Sequence, residues 1–454
     1  MKTKRNPRFL LTTLLGAAAL VATAGISHAQ SPALGQYSGR LPFWGAFPDD
    51  THLTNGFLCL KVTARQAISG TVAYGGYVYR LRGALVGGVL APTPLTKRNA
   101  PSIVIEITSS DEFGISGQVR RVGEPDWIVF DGGHALRPLE KWSRANPFPF
   151  EGLGTAGMEQ WETDWVEYTD PITMETYGQD EWPEFGLSRH GYALIKMTNT
   201  GIARYKGQLP DGTKFTGSTC ATAFRWDEFS PWMLELWVYA ITNRGAGSVV
   251  GPMGTMDTHM GDPDAPAILG GNLRWYPDPA TAPKRTWLVV EGSEYNSPLE
   301  GDRILEAPSG LLGNLLQDPA ARLGTTPDGI DAALSGPLGG APAVTRPVTP
   351  YLATLTGTDD PNSLTISFKP KDGSYKFSFI HPGTGRKTTG YGVVVQWQQE
   401  WIWVDDGMGG FEELMTVPGF GNGVFVNKYR DRATGTTYSY PGWLVLEPNV
   451  ATGS

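Results

Sequence analysis

Cysteine is scarce in this sequence, which has two cysteines, Cys59 and Cys220, among 454 residues. No C-x-x-C pair occurs, so both a redox motif and the ligand spacing of a zinc ribbon are lacking. In an oxidising compartment the two thiols could pair and tie the first third of the chain to the second. Nothing else in so long a chain indicates a disulfide scaffold, and the sequence therefore favours two free thiols.

Basic residues are also few. Without its N-terminal 29 residues, the chain carries 33 Lys and Arg against 45 Asp and Glu, a formal charge of −12. Nucleic acids and anionic lipid surfaces both need a cationic face on their partner. The charge therefore excludes DNA, RNA and peripheral-membrane partners from the expected set.

The usual catalytic and metal-binding motifs are missing. There is no H-E-x-x-H, no G-x-S-x-G and no G-x-x-x-x-G-K-[ST], and the six histidines are scattered along the chain. These patterns place a metal, a nucleophile or a phosphate cradle at a defined spacing. We therefore expect no metal site and no cofactor.

Long apolar runs are absent except at the N-terminus. Lys2, Lys4, Arg5 and Arg8 precede an apolar stretch at 9–26 that ends in small residues before Gln30. This order is typical of a signal peptide, here 1–29, and an uncleaved anchor is the alternative. With no second span downstream, we expect an exported protein of the periplasm, cell surface or extracellular space.

Glycine, proline and aromatic residues are abundant, with 58 Gly, 35 Pro, 15 Trp and 17 Tyr. So many large aromatic side chains argue against disorder, and frequent turn residues between short alternating segments indicate β-strands. The predicted fold class is all-β.

One segment recurs three times. The pattern of residues 56–83 returns at 191–217, where it reads GYALIKMTNTGIARYKGQLPDGTKFTG, and again at 363–396. Each copy alternates apolar and polar residues with a period of two and then turns at glycine. The predicted inward-facing residues are Leu58, Leu60 and Val62 in the first copy, Ala193, Ile195 and Met197 in the second, and Leu364, Ile366 and Phe368 in the third.

The repeats predict tandem antiparallel β-meander units that form barrels or sandwiches. The turn Pro210-Asp211-Gly212 lies inside a repeated meander and is therefore interpreted as scaffold. The predicted organisation is a signal peptide at 1–29, a first β unit at 36–140, an acidic aromatic insert at 141–188, a second β unit at 189–295, a Pro/Gly/Ala-rich linker at 296–362 and a third β unit at 363–445.

These meanders, together with the segments DGTKFTG and GGNLRW, resemble a group of uncharacterised exported bacterial β-strand-repeat proteins. The resemblance covers about residues 36–430 and is carried by glycine, turn and strand residues. It implies an architecture and no activity, and the insert at 141–188 departs from the pattern.

Localised function is expected where the repeats differ. Trp401 and Trp403 share one face of a predicted strand and would form an aromatic platform if exposed, or core if buried. Asp405 and Asp406 follow them directly. The candidate binding residues are Trp401, Trp403, Asp405, Asp406, Trp161 and Trp165.

The candidate acids have three interpretations. Paired carboxylates beside aromatic rings are typical of a glycoside hydrolase, and clusters such as Asp164, Glu167 and Asp170 could hold a hard cation. Forty-five acids also make chance clusters on a solvated loop common. The sequence therefore favours a non-catalytic structural or binding protein of the cell surface or periplasm, with polysaccharide or surface proteins as partners. A glycan-binding protein and a carbohydrate-active hydrolase are the alternatives.

Overall fold

The structure is a computed structural model, and it describes part of the chain. The described residues are 34–41, 56–110, 114–131, 136–169, 176–181, 189–225, 232–255, 267–277, 285–298, 311–316, 355–356, 364–381, 385–404, 411–430, 435 and 437–448. The predicted signal peptide, most of the predicted linker, and Asp405 and Asp406 lie outside them. Within the described residues every extended element pairs antiparallel, which confirms the all-β prediction.

The chain divides into two compact units. The first comprises residues 1–42, 58–72 and 79–139, and the second comprises 43–57, 73–78 and 140–454. No helix in the described ranges is long and apolar enough to cross a membrane.

The N-terminal strands form two antiparallel sheets, a five-stranded one in the order β4-β3-β2-β1-β9 and a four-stranded one in the order β5-β6-β7-β8. The predicted inward residues Leu58, Leu60 and Val62 are buried, as their alternation requires. The strands are β1 (Gly35–Arg40), β2 (Gly56–Val62), β3 (Ala67–Tyr74), β4 (Tyr77–Ala84), β5 (Leu90–Leu95), β6 (Ile103–Ser110), β7 (Ile115–Arg121), β8 (Ile128–Phe130) and β9 (Arg137–Leu139).

The next strands close into an eight-stranded barrel, because β10 pairs with both β12 and β18. The far half of β10 leaves the barrel and forms a hairpin with β11. The segment set apart as an acidic insert thus contains a barrel strand. The strands are β10 (Gly152–Thr169), β11 (Thr176–Glu181), β12 (Arg189–Met197), β13 (Ile202–Gln208), β14 (Lys214–Phe224), β15 (Met233–Thr242), β16 (Gly247–Thr255), β17 (Ile268–Tyr276) and β18 (Arg285–Glu294).

Side chains fill the barrel interior. Ala193, Ile195 and Met197 point inward as predicted and join one continuous core cluster. Tyr205 lies within it, and its hydroxyl both donates to Tyr239 O and accepts from Tyr239 N, each at 2.7 Å. A filled interior directs the search for a ligand site to the outside of the barrel.

The C-terminal strands form a seven-stranded sheet, called here the C-terminal sheet, in the order β19-β27-β26-β23-β22-β21-β20, and a separate hairpin of β24 and β25. Leu364, Ile366 and Phe368 are buried in its core, as predicted. The strands are β19 (Leu311–Leu316), β20 (Leu355–Thr356), β21 (Thr365–Lys369), β22 (Ser374–Ile380), β23 (Lys387–Val394), β24 (Trp397–Val404), β25 (Phe411–Pro418), β26 (Gly421–Arg430) and β27 (Thr437–Pro448).

The two cysteines correct one expectation. Cys59 in β2 and Cys220 in β14 are both disulfide-bonded, and the chain has no other cysteine with which either could pair. The prediction of free thiols is therefore wrong. It rested on the lack of further cysteines, which has no bearing on whether two distant strand positions come within bonding distance.

Candidate functional site

The barrel and the C-terminal sheet contact each other through their repeated turns. Trp443 of β27 donates from Nε1 to Pro210 O at 3.1 Å, next to the first Asp-Gly turn. Tyr295, just after β18, donates its hydroxyl to Pro370 O at 2.6 Å, beside the Asp372-Gly373 turn. Each repeat thus presents its turn to an aromatic donor of the other, which makes the turn a contact surface as well as scaffold.

Both turns owe their shape to the same local chemistry. Asp211 accepts from Thr213 N at 2.7 Å and from Thr213 Oγ1 at 2.8 Å, and Gly212 has a φ of +85°. A side chain hydrogen-bonded to the backbone two residues ahead, followed by a residue in the left-handed region, is what the Asp-Gly sequence favours. A Cβ on Gly212 would lie 2.1 Å from Val426 Cγ2 of β26, so glycine is also required by the contact.

A pocket of about 380 Å³ opens where the first turn meets the C-terminal sheet; it is called here the turn pocket. Its volume falls in the range of small-molecule sites, roughly 300–1,000 Å³. One wall comes from the barrel and the other from β23, β26 and β27. The lining residues are Gln208, Asp211, Gly212, Thr213, Lys214, Thr389, Tyr391, Val424, Phe425, Val426, Lys428 and Ser439.

Gln208 supplies an unsatisfied acceptor in this wall. Its side chain is buried, with 6% of its surface exposed, and its Nε2 donates to Gly212 O at 2.9 Å. Because a carbonyl can only accept, the amide nitrogen faces the turn and Oε1 is left with no hydrogen-bond partner. A buried acceptor without a donor is costly to the folded protein, and this oxygen has almost no accessible surface, so the cost belongs to the packing of the turn.

Asp211 is partly buried beside Gln208. Burial raises the pKa of its carboxyl, and the hydrogen bonds from Thr213 oppose that shift. Among the described residues, no Lys or Arg forms an ion pair with it. The barrel wall therefore presents one charged acceptor, the Asp211 carboxylate.

The opposite wall is amphipathic. Tyr391 is 45% exposed, Lys428 is exposed, and Thr389 and Ser439 add hydroxyl groups. Tyr391 also lies near Tyr192 of β12, whose pKa is raised to about 12, first by burial and then by that neighbour. The turn pocket combines an aromatic ring, hydroxyl groups and two lysines with the Asp211 carboxylate.

Asp211→Asn is expected to stabilise the protein at pH 7. Since the folded pKa exceeds the ordinary value of 3.8, the folded state binds more protons than the unfolded state between the two values. Rising pH therefore lowers the free energy of unfolding across that interval, and the ionised carboxylate remains a cost above it. The other charged or titratable groups of the pocket, Lys214, Tyr391 and Lys428, are retained in the variant.

Urea denaturation at two pH values checks this expectation. At pH 7 the variant should unfold at a higher urea concentration than the parent protein. The difference should disappear below about pH 3, where Asp211 of the parent is protonated and therefore as neutral as the asparagine of the variant. A variant that is less stable than the parent at pH 7 would show that the hydrogen bonds of Thr213 outweigh the desolvation of the carboxylate.

Of the residues named from the sequence, Trp161 has a described side chain, and it is not among those that line the turn pocket. Trp161 is 38% exposed and pairs in register with Trp287 across β10 and β18. The backbones of Trp165 in β10 and of Trp401 and Trp403 in β24 are described without their side chains. Asp405 and Asp406 fall outside the described residues, so these candidates remain predictions.

The hairpin that carries Trp401 and Trp403 begins beside the barrel. Trp397 N donates to Ser293 Oγ of β18 at 3.3 Å, and β24 lies against β17 and β18. Its described pairing is to β25 alone, outside the larger sheets.

A second polar pair lies on β10 and β12. His190 faces Glu159 across the two strands, and burial lowers the pKa of the imidazole while the Glu159 carboxylate raises it. His190 Nδ1 is buried without a hydrogen-bond partner. Across the described part of the chain, no three His, Cys, Asp or Glu residues are grouped closely enough to hold a metal ion.

Comparisons with known proteins add little. No family model matches the chain, and no curated protein matches it. One solved structure is similar at a TM-score of 0.15 and 8% identity: a tryptophan-to-alanine mutant of the vaccine antigen transferrin binding protein B from Haemophilus parasuis. The match covers 92% of this chain and 77% of that one. A likeness this weak carries no argument, and the assignment of function depends on the chain's own geometry.

Proposed function

We propose that this protein is an exported, non-catalytic binding protein whose ligand site is the turn pocket. The observation that carries the proposal is the pocket of about 380 Å³ itself, which brings Asp211 and Lys214 of the barrel together with Tyr391 and Lys428 of the C-terminal sheet. Small-molecule sites are concave and combine apolar or aromatic walls with a few placed polar groups, as this pocket does.

The composition of the pocket supports binding rather than catalysis. Its lining residues include one carboxylate, Asp211, and no histidine or cysteine. Glycoside hydrolysis normally uses two carboxyl groups on either side of the scissile bond. A single carboxylate held by Thr213 is suited to recognising a ligand, and we therefore favour binding over hydrolysis at this pocket.

Two features support export. The basic and then apolar N-terminal residues have the order of a signal peptide, and the disulfide is typical of a protein that matures in an oxidising compartment. A binding protein of the cell surface or periplasm is consistent with both.

Filling the turn pocket tests the proposal. Saturation-transfer NMR would be run with neutral hexoses, hexuronic acids, amino acids and diamines, each at millimolar concentration. At least one class should bind the parent protein and lose its signal in Ser439→Trp, because the indole would occupy the pocket from β27. The matched control is Thr437→Trp, which places the same ring two residues earlier on that strand, at an exposed position outside the pocket.

The outcomes separate clearly. Binding that disappears in Ser439→Trp and persists in Thr437→Trp supports the proposal. Binding by no class, or binding that survives in Ser439→Trp, overturns it. If Ser439→Trp does not fold, as judged by circular dichroism, Thr389→Trp fills the same pocket from the exposed side of β23.

A further inference from the structure

The Asp211 carboxylate of the turn pocket favours a ligand that carries a hydrogen-bond donor. A carboxylate can only accept, and a ligand hydroxyl or ammonium can donate to it. Thr213 already donates to both Asp211 oxygens, which holds the carboxylate in one orientation. The pocket thus recognises donors at a defined place on its barrel wall.

Charge decides between these two donors. The pocket contains Lys214 from β14 and Lys428 from β26, against the single carboxylate of Asp211. Two cations and one anion disfavour a positively charged ligand. Hydroxyl groups therefore remain as the donors, and the exposed ring of Tyr391 offers an apolar face against which a sugar ring can pack.

The two lysines of the pocket favour a ligand that also carries a negatively charged group. Within the described ranges neither Lys214 nor Lys428 forms an ion pair, although the protein as a whole is acidic. They approach the pocket from its two different walls, one from the barrel and one from the C-terminal sheet. A carboxylate on the ligand would pair with them by charge-assisted hydrogen bonds.

We infer that the turn pocket binds an acidic sugar unit, a hexuronic acid or a related carboxylated saccharide. A hydroxyl group of the sugar donates to Asp211, its ring lies on Tyr391, and its carboxylate pairs with Lys428 and Lys214. This inference rests on the proposed function, because it names the ligand class of the same site.

Titration calorimetry with matched sugars tests the inference. Galacturonic acid should bind about tenfold more tightly than galactose, the effect of one charge-assisted contact. Lys214→Gln combined with Lys428→Gln should reduce that preference to about twofold or less. Lys387→Gln, an exposed lysine of β23 outside the pocket, should preserve the preference. Tyr391→Ala should weaken both sugars about tenfold, and Tyr391→Phe should not.

Different binding results would overturn this inference and the proposed function. If galactose and galacturonic acid bind equally, the carboxylate requirement is wrong. If only amino acids or diamines bind, and Ser439→Trp removes that binding, the proposed function stands and this inference is overturned. If no probe binds the parent protein, the proposed function itself fails.

Discussion

Replacing Trp443 by alanine is expected to lower the free energy of unfolding by about 3–5 kcal/mol, the usual cost of removing a buried tryptophan. Trp443 is fully buried in β27, and its Nε1 donates to Pro210 O of the barrel turn at 3.1 Å. The substitution leaves a cavity at the contact and also leaves a buried carbonyl without its donor. Equilibrium denaturation in guanidinium, with the slope compared between variants, measures the loss.

Trp443→Phe separates the two contributions. Phenylalanine retains most of the apolar contact but cannot donate, so Pro210 O loses its partner at a cost of about 1–3 kcal/mol. Trp237→Ala is the matched control, because Trp237 is only partly buried and its Nε1 donates to Glu235 of its own strand. A loss of under about 1 kcal/mol for Trp443→Ala would contradict the role of this contact.

The loss should extend to binding. Pro210 is the first residue of the turn that carries Asp211, so a displaced turn moves one wall of the turn pocket. Trp443→Ala should therefore weaken the binding of the ligand whose binding is lost in Ser439→Trp. Trp443 is not one of the residues that line the pocket, so this effect would come from the displaced turn.

Gly217→Ala is expected to destabilise the barrel by about 3 kcal/mol, at the upper end of overpacking costs. Gly217 of β14 pairs in register with Tyr205 of β13, and a Cβ on it would lie 2.3 Å from Tyr205 Cε2 and 2.6 Å from the hydroxyl oxygen. The methyl group would displace the ring, and the ring could then no longer satisfy Tyr239 N and Tyr239 O.

A double-mutant cycle with Tyr205→Leu tests that mechanism. Leucine removes the ring that the added methyl group meets, so the two substitutions together should cost less than the sum of their separate effects, by about 1 kcal/mol or more. Ser218→Ala, the exposed neighbour on β14, should change stability by under about 0.5 kcal/mol. Strict additivity of Gly217→Ala and Tyr205→Leu would show that the ring contact is not the cause.

The same glycine device recurs in the third repeat. Gly390 faces Phe377 and Gly392 faces Tyr375 in register across β22 and β23, as Gly207 and Gly217 face Phe215 and Tyr205 in the barrel. In each pair the ring lies over the glycine, where a Cβ would collide with it. The repeat was visible in the sequence as turns and alternation, but this pairing of aromatic residues with glycines appears once the strands are in register.

Sequence alone determined the strands, their inward faces and the repeated meander. The alternation in residues such as Leu58, Ala193 and Leu364 is local, and burial on one side of a strand follows from its period of two. The sequence could not determine the disulfide, because whether Cys59 and Cys220 pair depends on positions 161 residues apart in the chain. The sequence also predicts localised function where the repeats differ, at Trp401, Trp403 and the acidic segment.

Only the tertiary structure decided where the pocket lies. The sequence predicts that the first Asp-Gly turn is scaffold because the turn repeats, and the turn does shape the hairpin. Yet Gln208 and Lys428 line the same pocket although 220 residues separate them, and no local pattern marks either one. The physical reason is that strand formation depends on neighbours in the chain, whereas a pocket requires two walls brought together by packing, here by Trp443 on the turn at Pro210.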